Sequence, residues 1–395
     1  MRTIDRVAGV PLCWLSALWR MSVRKRQNAP VESVRTILIL KFFGMGSILL
    51  STPLLTRLYE QFPHARVFYL SFDANSTLLK RLPYPLTVLS IRTDSIVHFI
   101  GDTFLALKTL RRQHIDMAFD LEFFSKFSTL LSAFSGATNN VGYALPTFWR
   151  RRNITHAVPL DRTSHVAQVF LNQLSVVGVV TGTVPPLALL QATTSETISM
   201  ERKLGLSSNG VNCYVVNINA GPTAPERRWP PGGFIETARH IAATDSAARL
   251  FFIGMREEQA YVGLALSGAP DLRERATNCA GLLSLGELIA LLQRSRFIVT
   301  NDSGPMHLAA AAGTRAVALF GPESPQFYGP LGDARVVYKG IACSPCLNMY
   351  NAKLFVCPYN ARCMREIAVG DVIGALYPTE HQPQPRHVAT THHAQ

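Results

Sequence analysis

FIVTNDSGPMHLAAAAGTRAVALFGPESP runs from Phe297 to Pro325. Its apolar start, 297–301, reads as a buried strand, and RAVALFG at 315–321 reads as another. Between them an acid, a serine, a glycine, a proline and a histidine crowd the point where strand becomes helix. Pro305 suits a first helical turn, because its missing N–H needs no partner there. Asp302 or Ser303 can cap that helix. Gly304 lets a ligand come close to the backbone. The helix start then offers N–H groups and the positive end of a dipole to an anion. His307 follows near enough to reach the same ligand. The stretch reads as strand, anion seat, helix, strand; a plain capped helix with a buried histidine is the alternative.

Outward from this unit the alternation continues. In the C-terminal half, 213–221 and 249–254 read as strands, with helices at 234–243, 257–266 and 285–293. In the N-terminal half, 35–41, 65–72, 86–91, 115–121 and 139–143 read as strands, with helices at 48–62 and 96–112. Such alternation predicts parallel sheets covered by helices. A Gly, Pro, Thr and Ser-rich stretch separates the halves. The expected organisation is an α/β chain with an N-terminal helix at 1–30, a Rossmann-like domain at 31–180, a linker at 181–200, a second Rossmann-like domain at 201–377 and a disordered tail at 378–395. Two doubly wound domains leave a cleft, and ligands of open parallel sheets sit beyond the carboxyl ends of the strands.

Composition bounds the partners. The 395 residues carry a formal charge of +13 and a pI near 9.7. That balance suits a nucleotide diphosphate, an acidic glycolipid or a membrane surface. No RNA-binding or zinc-finger signature is present, so nucleic acid is not expected. Seven cysteines, an odd number, do not make a secreted disulfide framework and point to a reducing compartment. The apolar run from Val7 to Trp19 is too short to span a bilayer and ends in Arg20, Arg24, Lys25 and Arg26. It reads either as a flat interfacial anchor or as an extra helix packed on the core.

Other candidates follow strands. Arg227 and Arg228 stand after the strand at 213–221, where basic side chains can clamp a diphosphate. Glu257 and Glu258 follow the next, able to accept from a ribose or to cap a helix. In the N-terminal half, Gly44, Gly46 and Ser47 follow the first strand, Asp73 the second, and Asp120, Glu122, Ser125 and Lys126 a later one. Phe119, Leu121, Phe123 and Phe124 around Glu122 predict an apolar setting that readies its carboxylate as a base. Arg150, Arg151 and Arg152 read as a solvated basic face or a contact for an acidic acceptor. Cys343, Cys346, Cys357 and Cys363 can hold a structural zinc, form local disulfides or pack as reduced thiols.

ILILKFFGMGSILLSTPLLTRLYEQFPHARVFYL, ERRWPPGGF and FIVTNDSGPMHLAAAAGTRAVALFGPESP together resemble glycosyltransferase family 9, the lipopolysaccharide heptosyltransferase-like proteins, over about 35–370. The resemblance implies the GT-B fold, two Rossmann-like doubly wound domains facing a cleft. It implies an inverting, metal-independent transfer that needs no cofactor, from a nucleotide-diphosphate sugar, usually ADP-heptose. The acceptor it implies is a lipid-linked glycan at the inner-membrane surface, which makes the chain a cytoplasmic, peripheral protein. Carried over, Asp302, Ser303, Gly304 and His307 meet the diphosphate, with Arg227 and Arg228 beside them, and Glu257 or Glu258 meets the ribose. Gly44, Gly46, Ser125 and Lys126 belong on the acceptor side. The family's catalytic Asp falls on Ser47, so the base is expected elsewhere, on Glu122 or else Asp73. The alternatives are a nucleotide-sugar-binding protein without transfer activity, or a transferase with another donor.

Overall fold

The computed structural model describes residues 9–22, 34–145, 148–179, 181–206, 210–221, 224–351 and 355–377. The expected tail at 378–395 and the basic flank Arg24, Lys25 and Arg26 lie outside the described residues. The chain divides into two compact units, Met1–Leu190 and Gln191–Gln395.

Unit 1 is built on β1 (Thr36–Leu40), β2 (Arg66–Phe72), β3 (Leu86–Ile91), β4 (Met117–Asp120), β5 (Asn139–Ala144) and β6 (His156–Pro159). They lie in the order β3-β2-β1-β4-β5-β6, and every pairing is parallel. Unit 2 repeats the winding with β7 (Asn212–Asn217), β8 (Ala248–Phe252), β9 (Ala276–Asn278), β10 (Ser295–Asn301), β11 (Ala316–Phe320) and β12 (Ala334–Tyr338). Their order is β12-β11-β10-β7-β8-β9, again parallel. In each sheet the direction of winding reverses between the first strand and the fourth, at β1/β4 and at β7/β10. Loops leaving those pairs diverge and open a crevice at the strands' carboxyl ends.

The central strands are apolar throughout because both faces are covered. β1, Thr-Ile-Leu-Ile-Leu, is buried at all five positions, and so is β11, Ala-Val-Ala-Leu-Phe. The edge strands β6, β9 and β12 are half-exposed along their length. They lack the apolar run that marks the others, and the sequence pattern missed all three. The helix Thr194–Leu204 begins inside the stretch read as linker, where Thr193 and Glu196 form a reciprocal capping box.

The helix Gly9–Ser22 packs one side on the body of unit 1, the second of the two alternatives expected for it. Cys13 and Ser16 are buried. Ser16 Oγ donates to Asn153 Oδ1 at 2.9 Å, and Asn153 Nδ2 donates to the Cys13 carbonyl at 3.0 Å. On its other side Leu12, Trp14, Leu15 and Leu18 are exposed. Among the described residues no helix is long and apolar enough to cross a membrane.

Candidate functional site

In unit 2 the turns after β7 and β10 are cross-linked by polar side chains. Arg227 Nη1 donates to the Asp302 carbonyl at 3.0 Å and to Asp302 Oδ2 at 3.3 Å, and its Nη2 donates to the Ala220 carbonyl at 2.6 Å. Asn217 Nδ2 donates to Thr300 Oγ1 and to Ser303 Oγ, both at 2.9 Å. Asn301 Oδ1 accepts from the Trp229 amide at 2.9 Å, while Asn301 Nδ2 donates to the Ile218 carbonyl at 3.0 Å. Trp229 itself is buried, and its indole N–H donates to the Ile367 carbonyl at 3.0 Å.

The helix Gly304–Ala312 starts from this network. Ser303 occupies its cap position, yet no side chain caps it. Ser303 Oγ is spent on Asn217 and on the Asn301 carbonyl, and Asp302 on Arg227. The capping expected of these two residues is therefore absent. His307 is buried one turn in. Burial raises the Asp302 carboxyl above the ordinary value, against the pull of Arg227.

The turn after β8 separates the two glutamates. Glu257 is exposed. Glu258 Oε2 accepts from the Met255 amide at 2.8 Å, and its other oxygen lies 3.9 Å from Arg228. Arg228 also stacks over the Tyr261 ring, 4.7 Å from its centroid. The turn after β11 adds a residue that the sequence reading passed over. Glu323 is buried, and burial together with the neighbouring Asp302 pushes its carboxyl up to about 8. All seven cysteines are free thiols, which removes the local disulfides. Among the described residues no three His, Cys, Asp or Glu side chains form a ready metal group.

Unit 1 has its own cross-link, and it corrects the setting expected for Glu122. The residue is buried, but its Oε1 faces donors and not apolar side chains. It accepts from Lys41 Nζ at 2.8 Å, the Phe42 amide at 2.7 Å and the Phe43 amide at 3.1 Å. Asn75 Nδ2 holds the Phe42 carbonyl at 2.9 Å from the other side. The β1 turn is thus gripped from β4 and from beyond β2. Gly44 takes φ +82 there, a conformation that side chains disfavour. Ser47 follows in the short helix Met45–Leu49, with Gly46 buried.

Arg150 departs further from expectation. It is fully buried, not a solvated face. Its Nη2 donates to the Glu122 carbonyl at 2.6 Å and lies 3.3 Å from Asp120 Oδ2. Even so, burial pushes the Asp120 carboxyl up to about 6. Ser125 caps the helix Lys126–Phe134 through the Ser128 amide at 3.1 Å. Asp73 is exposed and opens the turn Asp73–Asn75 directly after β2.

Comparison with known proteins agrees with this architecture. A sequence profile described as glycosyltransferase family 9 (heptosyltransferase) matches residues 105–354. The chain is 26% identical over 309 residues to lipooligosaccharide heptosyltransferase 2 of Haemophilus influenzae, spanning 77% of this chain and 88% of that protein. A solved glycosyltransferase family 9 structure from Veillonella parvula matches with a TM-score of 0.72 at 22% identity, over 88% of this chain and 98% of that one. E. coli ADP-heptose LPS heptosyltransferase II matches with a TM-score of 0.67 at 22% identity, over 86% and 97%. At these identities the solved structures speak for the fold: two Rossmann-like domains of the GT-B kind.

The Lys41–Glu122 pair gives a direct test of the unit 1 cross-link. Its side chains are only 5% and 9% exposed. Lys41→Met leaves a buried carboxylate without its cation, a loss of about 3–5 kcal/mol. Calorimetry should show the unit 1 transition falling accordingly, with part of the loss recovered in Lys41→Met/Glu122→Gln.

Proposed function

We propose, since the chain belongs to glycosyltransferase family 9 (heptosyltransferase), that it moves a heptose-like sugar from a nucleotide diphosphate to a lipid-linked, lipopolysaccharide-type acceptor. The observation that carries this reading is the uncapped helix start at Gly304 beside the Arg227–Asp302 pair. A diphosphate seated there meets a guanidinium, the helix N–H groups and His307. ADP-heptose is the donor of choice because E. coli ADP-heptose LPS heptosyltransferase II matches over 86% of this chain. Glu258, and not the outward Glu257, is assigned to the ribose.

In an inverting displacement a base takes the acceptor hydroxyl proton while the diphosphate departs with its charge met by preorganised groups. Arg227, His307 and the helix start fill the second role, so the reading gives no step to a metal. For the first role, Glu122 already accepts three hydrogen bonds on one oxygen. We assign it to holding the β1 turn. Ser47 carries no charge to receive a proton. Asp73 remains: an exposed carboxylate at the end of the strand beside β1, two residues from the Asn75 that grips the turn.

The acceptor's lipid character is supported by the surface of unit 1. Phe43 is exposed on the β1 turn and contacts Phe72, which stacks on Phe127, which meets Phe99. Phe99 belongs to the helix Ile96–Arg112, where Ile96, Val97, Ile100, Phe104 and Leu105 are exposed. With Trp14, Leu15 and Leu18 of the first helix and a charge of +13, this supports a peripheral position on an anionic inner-membrane surface, facing the cytoplasm. A second reading, a nucleotide-sugar-binding protein without transfer, is favoured only by Ser47 standing where the family carries an acid. Cys343, Cys346, Cys357 and Cys363 lie on the segment behind the β11 turn, but among the described residues they do not form a ready metal group, and burial raises the Cys346 and Cys363 thiols, so the reading gives a structural zinc no role.

Four measurements check the reading. ADP affinity, read by calorimetry, should fall in Arg227→Ala by roughly tenfold to a hundredfold, the scale of a lost charge-assisted bond of about 1.5–3 kcal/mol; unchanged affinity removes the diphosphate seat. Asp73→Asn should lower turnover about a hundredfold with donor affinity intact. Wild-type protein that binds ADP-heptose but transfers to no lipid-linked acceptor supports the second reading. Elemental analysis of protein purified under reducing conditions separates the alternatives for the four clustered cysteines: zinc that is lost in Cys346→Ser assigns them as ligands, and a metal-free, equally stable wild type leaves the thiols as packing.

A further inference from the structure

We propose that Glu323 is part of the donor site, and that as a neutral carboxylic acid it donates its proton's hydrogen bond to a diphosphate oxygen of the bound nucleotide. The inference rests on the diphosphate seat proposed above and adds a residue of a different chemical kind to it.

The placement comes first. β11 lies beside β10 in the sheet, and the Asp302 amide donates to the Leu319 carbonyl at 3.0 Å, so the turns after the two strands start side by side. Glu323 stands three residues past the end of β11 and is 7% exposed. Its Oε1 accepts from the Ser324 amide at 3.0 Å. Asp302 pushes its carboxyl up and Arg227 pulls it down. The turn that carries it is fixed from behind. A Cβ on Gly321 would come 2.3 Å from Met364 Sδ and 2.9 Å from Cys363 Sγ. The Pro322 carbonyl accepts from the Cys346 amide at 2.8 Å and the Leu347 amide at 2.7 Å, and Ser344 Oγ donates to the Gly321 carbonyl.

Charge decides the form Glu323 takes. The charged groups that act on it are Asp302 on the β10 turn and Arg227 on the β7 turn. Arg227 is the only permanent cation of this set, and it is already paired to Asp302. Two carboxylates and an incoming diphosphate cannot all be ionised around one guanidinium. Glu323 is the carboxyl that burial and Asp302 have already pushed up to about 8. With nucleotide bound, it keeps or takes up one proton from solvent. The O–H then points at a phosphate oxygen, where an ionised glutamate would repel it.

The sign follows directly. Free protein loses the Glu323 proton as pH rises through about 8, while the complex retains it. Binding above that pH must recover the proton, and affinity falls. The probe is ADP, whose own last ionisation lies near pH 6. Calorimetry of ADP binding should show affinity falling about tenfold between pH 7 and pH 9, as linkage to one proton requires. At pH 9, titrations in two buffers of different ionisation enthalpy should report uptake of close to one proton. Glu323→Gln keeps a donor without the titration. It should bind ADP with pH-independent affinity and no proton uptake, and its thermal transition checks that it folds. A flat wild-type profile, or the same slope and uptake in Glu323→Gln, overturns the proposal. Wild-type protein that binds no ADP at any pH would remove the diphosphate seat itself.

Discussion

A single guanidinium spans the switch point of the second sheet. At such a point two adjacent parallel strands send their loops in opposite directions, and the backbone groups at their ends lose ladder partners. Arg227 supplies them: one nitrogen serves Asp302's carbonyl and carboxylate, another the Ala220 carbonyl. Asn217 and Asn301 repeat the cross-bracing one layer below. The result is a crevice whose walls are rigid and whose nearest helix start is left without a side-chain cap. Rigidity matters there because donors that are already aimed need not reorganise when charge develops on a leaving group.

Unit 1 meets the same constraint with the opposite charge. There an anion, Glu122, crosses from the end of β4 and takes up the Phe42 and Phe43 amides of the β1 turn, with Lys41 as counter-ion. The glycine-bearing turn after a first Rossmann strand commonly binds phosphate through such amides. Here the protein's own carboxylate consumes them. Two sheets with one winding are thereby made chemically unlike: unit 2 leaves donors open to an anion, and unit 1 closes them. That asymmetry fits the proposed reading, in which unit 2 is the half that takes an anionic donor.

Much of this was legible in the sequence. Most of the central strands announce themselves as apolar runs because both of their faces are covered, and the run at 297–301 with its Asp302, Ser303, Gly304 and Pro305 marks the strand-to-helix turn at which the diphosphate is proposed to sit. What escaped was decided by long-range contact. The aromatic neighbours of Glu122 in sequence suggested an apolar pocket, but side chains alternate along an extended segment, and the groups that meet its carboxylate in space, the Lys41 side chain and the Phe42 and Phe43 amides, come from the turn after β1. Arg150 sits in a run of three arginines that looks solvated, and only the fold reveals one of them turned inward to Asp120. Glu323 lies in the quoted stretch, yet nothing in Gly-Pro-Glu-Ser-Pro signals burial. Its position depends on a segment some twenty residues onward that backs the turn.

That backing segment gives the clustered cysteines a consequence beyond local packing. The amides of Cys346 and Leu347 hold the Pro322 carbonyl, and Cys363 and Met364 pack so tightly behind Gly321 that no side chain fits there. The segment that carries the four thiols therefore also holds the turn after β11, at the edge of the crevice beside Asp302. A buried carboxyl is costly to keep, and one held on a loop free to move would swing into water and ionise. Fixing the loop from behind is what keeps Glu323 buried and its proton in place. The chemistry of the crevice and the packing of the cysteine segment are in this sense one structure.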